Sequence, residues 1–320
     1  MNSRFQSLKI FSKNEALKKS IFCVLAVLCI TPLISSPLAL ALGFFLAIFI
    51  GNPFEKYLHK YIHLLLQVSI VGLGFGLQLN EAMRAGKTGF QLTIISIMIV
   101  MILGYVLGKI LKIERPLFYL ISTGTAICGG SAIAAVSPII KPDTKQISVA
   151  LAIVFTLNSV ALFIYPSIGH LLHLSQEQFG LWCAIGIHDT SSVVGAANKY
   201  GNEALHVATT VKLARALWII PVSIITMFIF KTKGSKIKIP WFIGLFVLAI
   251  IAGTYIPFMN TLGHYITYIA KSGLNLTLFF IGASLSLSTL KTINFKSLSF
   301  AVILWIIISV GSLLYIITYL

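Results

Sequence analysis

The sequence predicts an all-α polytopic membrane protein, with about eleven transmembrane helices, an inverted-topology repeat and discontinuous helices of the kind secondary transporters use. Composition is the first reason. Of 320 residues, 58% are hydrophobic and 10% charged, whereas soluble domains are roughly 45–50% apolar and about 25% charged, and the mean hydropathy is +0.96. The second is that apolar stretches of about 20 residues, enough to cross a hydrocarbon core of roughly 30 Å, recur from Ile21 to Leu320. The third is self-similarity within the chain.

Apolar length, with punctuation by Pro, Gly and charge, sets the segments at about 21–35, 37–51, 61–79, 90–111, 117–140, 147–166, 180–198, 205–230, 241–257, 265–289 and 298–320. A basic tail over 1–20 precedes a single transmembrane domain over 21–320. Lys18 and Lys19 before an apolar run resemble a signal peptide, but a second span follows, so an uncleaved helical hairpin turning at Ser35, Ser36 and Pro37 is expected. No polar stretch between spans exceeds a short loop, which excludes a water-soluble catalytic domain within this stretch.

The net charge of +16 reflects topology. Basic residues are scattered through loops rather than gathered in a patch with interleaved aromatics, so no nucleic-acid partner is expected. With the N terminus inside, the inner loops collect sixteen Lys and Arg, among them Lys109, Lys112, Arg115, Lys231 and Lys296. The outer loops hold Arg84, Lys87, Lys141, Lys145 and Lys199, and Lys212, Arg215 and Lys271 fall within spans. By the positive-inside rule this predicts a multi-pass membrane protein with its N terminus cytoplasmic and its C terminus outside. Cys23, Cys29, Cys128 and Cys183 lie in apolar spans without metal-ligand spacing, so no disulfide, metal or cofactor is expected.

A shift of 210 positions matches the second to fourth segments (about 38–110) to the ninth to eleventh (about 248–320). Gly43 pairs with Gly253, Gly72 with Gly282, Leu77 with Leu287, Phe90 with Phe300 and Tyr105 with Tyr315. The copies are an odd number of spans apart and so face opposite ways, a hallmark of secondary transporters, whose sites lie at mid-membrane on discontinuous helices. A shift of 60 also aligns 128–138 with 188–198, Ser131 with Ser191 among them. The fifth and seventh spans run the same way, so this second similarity is either coincidence or the mark of a re-entrant segment.

The polar core segments lie within 117–230. The stretch from Thr123 through Thr125, Gly129 and Gly130 to Ser131 interrupts the fifth span. Two glycines in a helix interior cost about 1 kcal/mol each relative to Ala, so the helix breaks there or the glycines serve close packing. A break would present amides of the next half-helix to an anion. In the seventh span His188 and Asp189 precede Thr190, Ser191 and Ser192. Asp189 is the one acidic residue placed inside a span, which makes it a functional candidate or a buried partner of a cation. Lys212 and Arg215, three apart, share a helix face deep in the eighth span, where they pair, snorkel, or form an anion site with a planar fork and a point charge. Lys271 is expected to snorkel. The substrate-binding set is therefore Thr125, Gly129, Gly130, Ser131, Thr190, Ser191, Ser192, Lys212 and Arg215, with His188 and Asp189 for coupling.

Four motifs in order resemble the YeiH-type family of bacterial inner-membrane proteins, often labelled sulfate exporters: 72–79 (Gly72, Gly74, Gly76, Leu77), 123–133, 186–195 and 211–215. The resemblance covers nearly the whole chain. It implies relation to inverted-repeat secondary transporters of the cation-proton antiporter type, a homodimer and an elevator-like movement. The expected activity is secondary transport of a small anion (sulfate, a sulfonate or a carboxylate), as exporter or exchanger, coupled to a proton or sodium ion. No Walker A sequence suggests ATP coupling. A passive anion channel is the alternative, and an intramembrane enzyme using His188 and Asp189 is disfavoured because no zincin, serine-hydrolase or second carboxylate motif accompanies them.

Overall fold

The computed structural model describes residues 15–31, 33–231, 241–284 and 293–320, which form fourteen α-helices and no strand. They are α1 Glu15–Ile30, α2 Ser36–Phe49, α3 Glu55–Gly74, α4 Leu79–Ile110, α5 Arg115–Ala126, α6 Gly130–Ile140, α7 Thr144–Leu171, α8 Gln176–Gly186, α9 Thr190–Tyr200, α10 Asn202–Ala216, α11 Ile219–Phe230, α12 Trp241–Tyr255, α13 Pro257–Ser284 and α14 Phe295–Tyr319. Most of the basic tail, Lys233, Lys236, Lys238, Lys291, Leu287 and the end of the tenth segment lie outside the described residues. Among the described residues, five stretches are long and apolar enough to cross a membrane: Leu79–Ile110, Lys145–Leu171, Asn202–Phe230, Leu262–Ser284 and Phe295–Tyr319. The chain is a multi-pass membrane protein.

One compact unit contains α1 to α3, α13 and most of α12. α1 starts at Glu15, inside the stretch expected as tail, and the turn to α2 occupies 31–35, with Pro37 in the first turn of α2 where a missing N–H costs nothing. Asn275 of α13 fixes that turn: its Nδ2 donates to the Ile34 carbonyl (3.0 Å) and its Oδ1 accepts from Ser36 Oγ (2.7 Å). Glycine sets the helix spacing. A Cβ at Gly43 would run into the α13 backbone at Phe279, and one at Gly253 would stand 2.7 Å from the Phe75 carbonyl at the end of α3. Such close approach is how apolar helices associate where water supplies no driving force. Lys271 is partly buried, midway along α13.

The other unit contains α4 to α11 and α14. Its long rods are α4 (32 residues), α7 (28), α10 followed by α11, and α14 (25). Between them lie four helices of 11 or 12 residues, each about 17 Å long at 1.5 Å per residue and too short to cross roughly 30 Å. They form two hairpins, α5–α6 and α8–α9, so of the two alternatives open for 117–140 and 180–198, crossing or re-entry, the structure favours re-entry.

At the open end of the first hairpin, Gln146 Nε2 in the first turn of α7 donates to the carboxylate of Glu114, the N-cap of α5. The segment therefore leaves by the side it entered. α7 then runs its full length, and at its far end the second hairpin closes in the same manner. Gln176 Oε1 accepts the backbone N–H groups of Glu203 (3.0 Å) and Ala204 (3.4 Å), Tyr200 Oη donates to the Leu174 carbonyl (2.6 Å), and the Phe179 and Tyr200 rings stack at 3.8 Å. Local sequence fixes both re-entry points. Asp143 with Gln146 and Ser175 with Gln178 form capping boxes on α7 and α8.

The hairpins thus enter from opposite ends of α7, and the helix ends correspond at a spacing of about 60 residues. Lys141 and Lys145 consequently share the end that carries Lys112 and Arg115, rather than the opposite one. In a chain with its four cysteines replaced by serine, Lys112→Cys and Lys141→Cys should react with an impermeant maleimide from one side of the membrane, and Lys199→Cys from the other. Labelling of the first two from opposite sides would restore a crossing α5–α6 segment.

Candidate functional site

The hairpin tips meet beside the centre of α7. A Cβ placed on Gly129 would lie 3.3 Å from both Asp189 Cβ and Val154 Cγ1, and Asn158 Oδ1, from the middle of α7, accepts the backbone N–H of His188 at 2.9 Å. The non-helical residues are 127–129 and 187–189. Gly129 has φ +65° and ψ −124°, a conformation open to glycine and costly for other residues. The sequence pattern points to non-helical backbone at Gly129 and Gly130 and at Thr190 to Ser192, meeting near the midplane; the structure corrects this for Gly130, Thr190, Ser191 and Ser192. These residues form the first turns of α6 and α9, and the breaks lie just before them.

Two half-helices end at the tips and two begin there. A helix leaves its last carbonyls without intrahelical partners, and in a membrane interior each must find a donor. For α8 the account closes: Lys212 Nζ donates to Ala184 O (3.3 Å) and Ile187 O (2.6 Å), Arg215 Nη1 to Ile185 O (2.9 Å), and Trp305 Nε1 to Gly186 O (3.1 Å). For α5, Arg215 Nε and Nη2 both donate to Ala126 O, at 2.8 and 2.6 Å, while Nη2 also lies 3.5 Å from Thr125 O. One guanidinium therefore clips both tips together. Lys212 and Arg215 are both completely buried, placed where the negative ends of two helix dipoles converge.

At the start of α9, Asp189 is the N-cap. Its carboxylate accepts from Ser192 N (3.0 Å), Ser192 Oγ (2.6 Å) and Ser191 Oγ. The start of α6 differs. Gly129 stands at the position equivalent to Asp189 and offers no side-chain cap, Gly130 is partly exposed and Ser131 exposed. Among the four half-helix ends, two carry cations and one a carboxylate, which leaves the electropositive start of α6 without a countercharge among the described residues. Three buried groups nearby in sequence or contact have no hydrogen-bond partner among the described residues: Thr125 Oγ1, Asn158 Nδ2 and both ring nitrogens of His188.

A family model described as "Conserved hypothetical protein 698" matches residues 20–316. A UPF0324 membrane protein of Bacteroides thetaiotaomicron is 52% identical over 285 residues, 88% of this chain and 86% of that protein. The chain belongs to the UPF0324 family. Another UPF0324 membrane protein, from Photobacterium profundum, is 49% identical over 297 residues, 93% of this chain and 91% of its own length, and one from Porphyromonas gingivalis is 50% identical over 290 residues, covering 89% and 88%. The resemblance to YeiH-type proteins read from the four motifs agrees with this membership. No solved structure matches the chain.

For this UPF0324 chain the structure brings together all of the sequence-derived candidates: Thr125, Gly129, Gly130 and Ser131 on one tip, His188, Asp189, Thr190, Ser191 and Ser192 on the other, with Lys212 and Arg215 behind them. Among the described residues no group of three His, Cys, Asp or Glu side chains is arranged to hold a metal ion. Sequence reasoning missed Asn158 and Trp305. An Asn in an apolar span is itself a signal, whereas nothing in the sequence marks an indole as the cap of a helix over a hundred residues away.

Removing the guanidinium leaves the Ala126 and Ile185 carbonyls unpaired, at about 1–3 kcal/mol each. Arg215→Ala is therefore expected to lower the thermal midpoint of the detergent-purified protein clearly. Arg215→Lys should do so too, because a point charge cannot reach both tips as a planar fork does. Melting of both variants at the wild-type temperature would show that the clip contributes nothing to stability.

Proposed function

We propose that the chain is a secondary transporter of a small anion, such as sulfate, a sulfonate or a carboxylate, working as an exporter or exchanger. The observation that carries this reading is the pair of opposed hairpins whose tips meet at mid-length of the long helices, with every half-helix end countercharged among the described residues except the start of α6. A helix start is a ready anion site, with its first amides pointing outward and the dipole favouring negative charge. In this reading the anion is held by the amides of Gly130 and Ser131, with hydroxyls of Ser131, Thr125 and Thr190 nearby. Lys212 and Arg215 act through their field and by fixing the tips, not as direct ligands.

Further features support carriage across a bilayer. With Lys141 and Lys145 grouped with Lys112 and Arg115, the outer side keeps Arg84 and Lys87 near the start of α4 and Lys199 in the last turn of α9 as its basic residues. The charge asymmetry favours an inner-membrane protein with its N terminus in the cytoplasm. Replacing two crossings by two hairpins preserves the odd number of crossings between the copies 210 residues apart, so they stay inverted. Gly43 and Gly253, paired in that repeat, do the same work of close backbone approach. We read the site as non-enzymatic: the Asp189 carboxylate is taken up by the start of α9. A homodimer and coupling to a proton or sodium ion complete the proposal.

Counterflow in proteoliposomes, run against a panel of anions, tests the reading directly. Ser131→Asp puts a carboxylate at the open start of α6, a position where Asp suits a helix, and should cut anion counterflow about tenfold or more, equivalent to about 1.4 kcal/mol. Ser131→Asn keeps the shape without the charge and should retain most activity. Equal transport by both variants removes the start of α6 from the site, and electrogenic flux without counterflow favours a channel.

Coupling is tested separately at Asp189. Because Asn also caps helices well, Asp189→Asn should fold, and the expected outcome is that it still exchanges anions but no longer concentrates them on an imposed proton or sodium gradient. A variant that still concentrates substrate on such a gradient rules Asp189 out as the coupling group.

A further inference from the structure

On the outer surface of the unit that carries the hairpins, α4, α5 and α11 enclose an open groove of about 540 Å³. We propose that this groove binds an anionic phospholipid, with an acyl chain lying along the groove and the phosphate head at its basic end.

The walls are the first argument. They run along α4 from Ile97 to Val106 and are completed by apolar side chains such as Ile225 and Ile229 of α11. Nine residues of helix rise about 13 Å, close to half of a roughly 30 Å hydrocarbon core, so the groove is one leaflet deep. Polar atoms within it are already satisfied: Ser122 Oγ donates to the Phe118 carbonyl (2.7 Å) and Tyr119 Oη pairs with Thr226 Oγ1 (2.8 Å). The lining therefore suits an aliphatic chain and offers little to a polar solute. Ile102, Met98 and Ile225 are more than half exposed, so the groove is open along its side.

The second argument is charge. Four basic groups gather at the end where α4 and α11 finish and α5 starts. Lys109 Nζ lies 4.6 Å from the Tyr105 ring centre, and Arg115, which lines the groove, lies 4.8 Å over the Phe230 ring. Lys112 and Lys231 end α4 and α11 in the left-handed conformation (φ 52° and 53°) and are exposed. Among the described residues none of these four is in an ion pair. The nearby carboxylates are engaged elsewhere: Glu114 and Asp143 both accept from Gln146. An aliphatic slot one leaflet deep that ends in unpaired Lys and Arg fits a lipid phosphate, to which Arg offers a bidentate fork and Lys a point charge. A zwitterionic head would bring its own cation into the same cluster and fit less well.

Native mass spectrometry of the full-length protein, delipidated in detergent and offered phosphatidylglycerol and phosphatidylcholine at equal concentration, tests this. The expected result is one retained phosphatidylglycerol per chain, preferred about tenfold over phosphatidylcholine, a difference of about 1.4 kcal/mol. Lys109→Gln with Arg115→Gln should abolish the preference, and Ile102→Trp, which fills the slot without touching charge, should abolish retention. All three positions are exposed, so both variants are expected to melt like the wild type, and Met98→Trp serves as a second filler. Equal retention of the two lipids, no retention of either, or an unchanged preference in the charge variant or a folded filler variant overturns the assignment.

Discussion

Backbone ends buried at mid-membrane are the constraint on which the rest of the hairpin unit depends. Two re-entrant hairpins place two helix C-termini and the start of α9 among buried residues, where no bulk water can satisfy them, and each loose carbonyl or amide there costs about 1–3 kcal/mol. The fold answers with a short set of side chains. Arg215 and Lys212 serve the C-termini of α5 and α8, Trp305 takes the Gly186 carbonyl, and Asp189 serves the start of α9. Burying a lysine and an arginine completely is tolerated here because their hydrogen bonds run to carbonyls that would otherwise be orphaned.

That arrangement also explains why Lys212 and Arg215 are three residues apart near the end of α10. The spacing puts both heads on one face, and the helix yields to α11 directly after Arg215, at Leu217 and Trp218. Lys212 meets the tip of one hairpin, while Arg215 reaches both. The planar fork is what makes this geometry available: Nε and Nη2 grip Ala126 O from one side while Nη1 turns to Ile185 O.

Much of this was legible in the sequence. Gly129 and Gly130 located one break, Asp189 and its hydroxyls the other, and an intramembrane cation pair marked the face behind them. Re-entry was not legible from hydropathy, because two half-helices of 11 or 12 residues joined by a three-residue break make an apolar run as long as one crossing helix. The deciding contacts, Gln146 with Glu114 and Gln176 with the start of α10, connect polar residues 27 to 32 positions apart, and such pairs leave no periodic signal. A trace did exist in the match at a shift of 60. It looked inconsistent only while both segments were assumed to cross; once each returns to its own side, the two run in opposite senses and the match becomes the natural symmetry.

The same symmetry shows where the hairpins differ, and the difference is chemical. Positions 128, 129 and 130 are Cys, Gly and Gly, while 188, 189 and 190 are His, Asp and Thr. One tip brings its own anion to its helix start, held by Ser191 and Ser192. The other has replaced that residue with a glycine, whose φ of +65° lets the chain turn beside Asp189 without a side chain in the way. A helix start that carries a carboxylate is electrostatically complete; one that has lost it keeps the amides, the dipole and the room. In the proposed reading, the missing countercharge at the start of α6 is where an external anion completes what Asp189 completes from within.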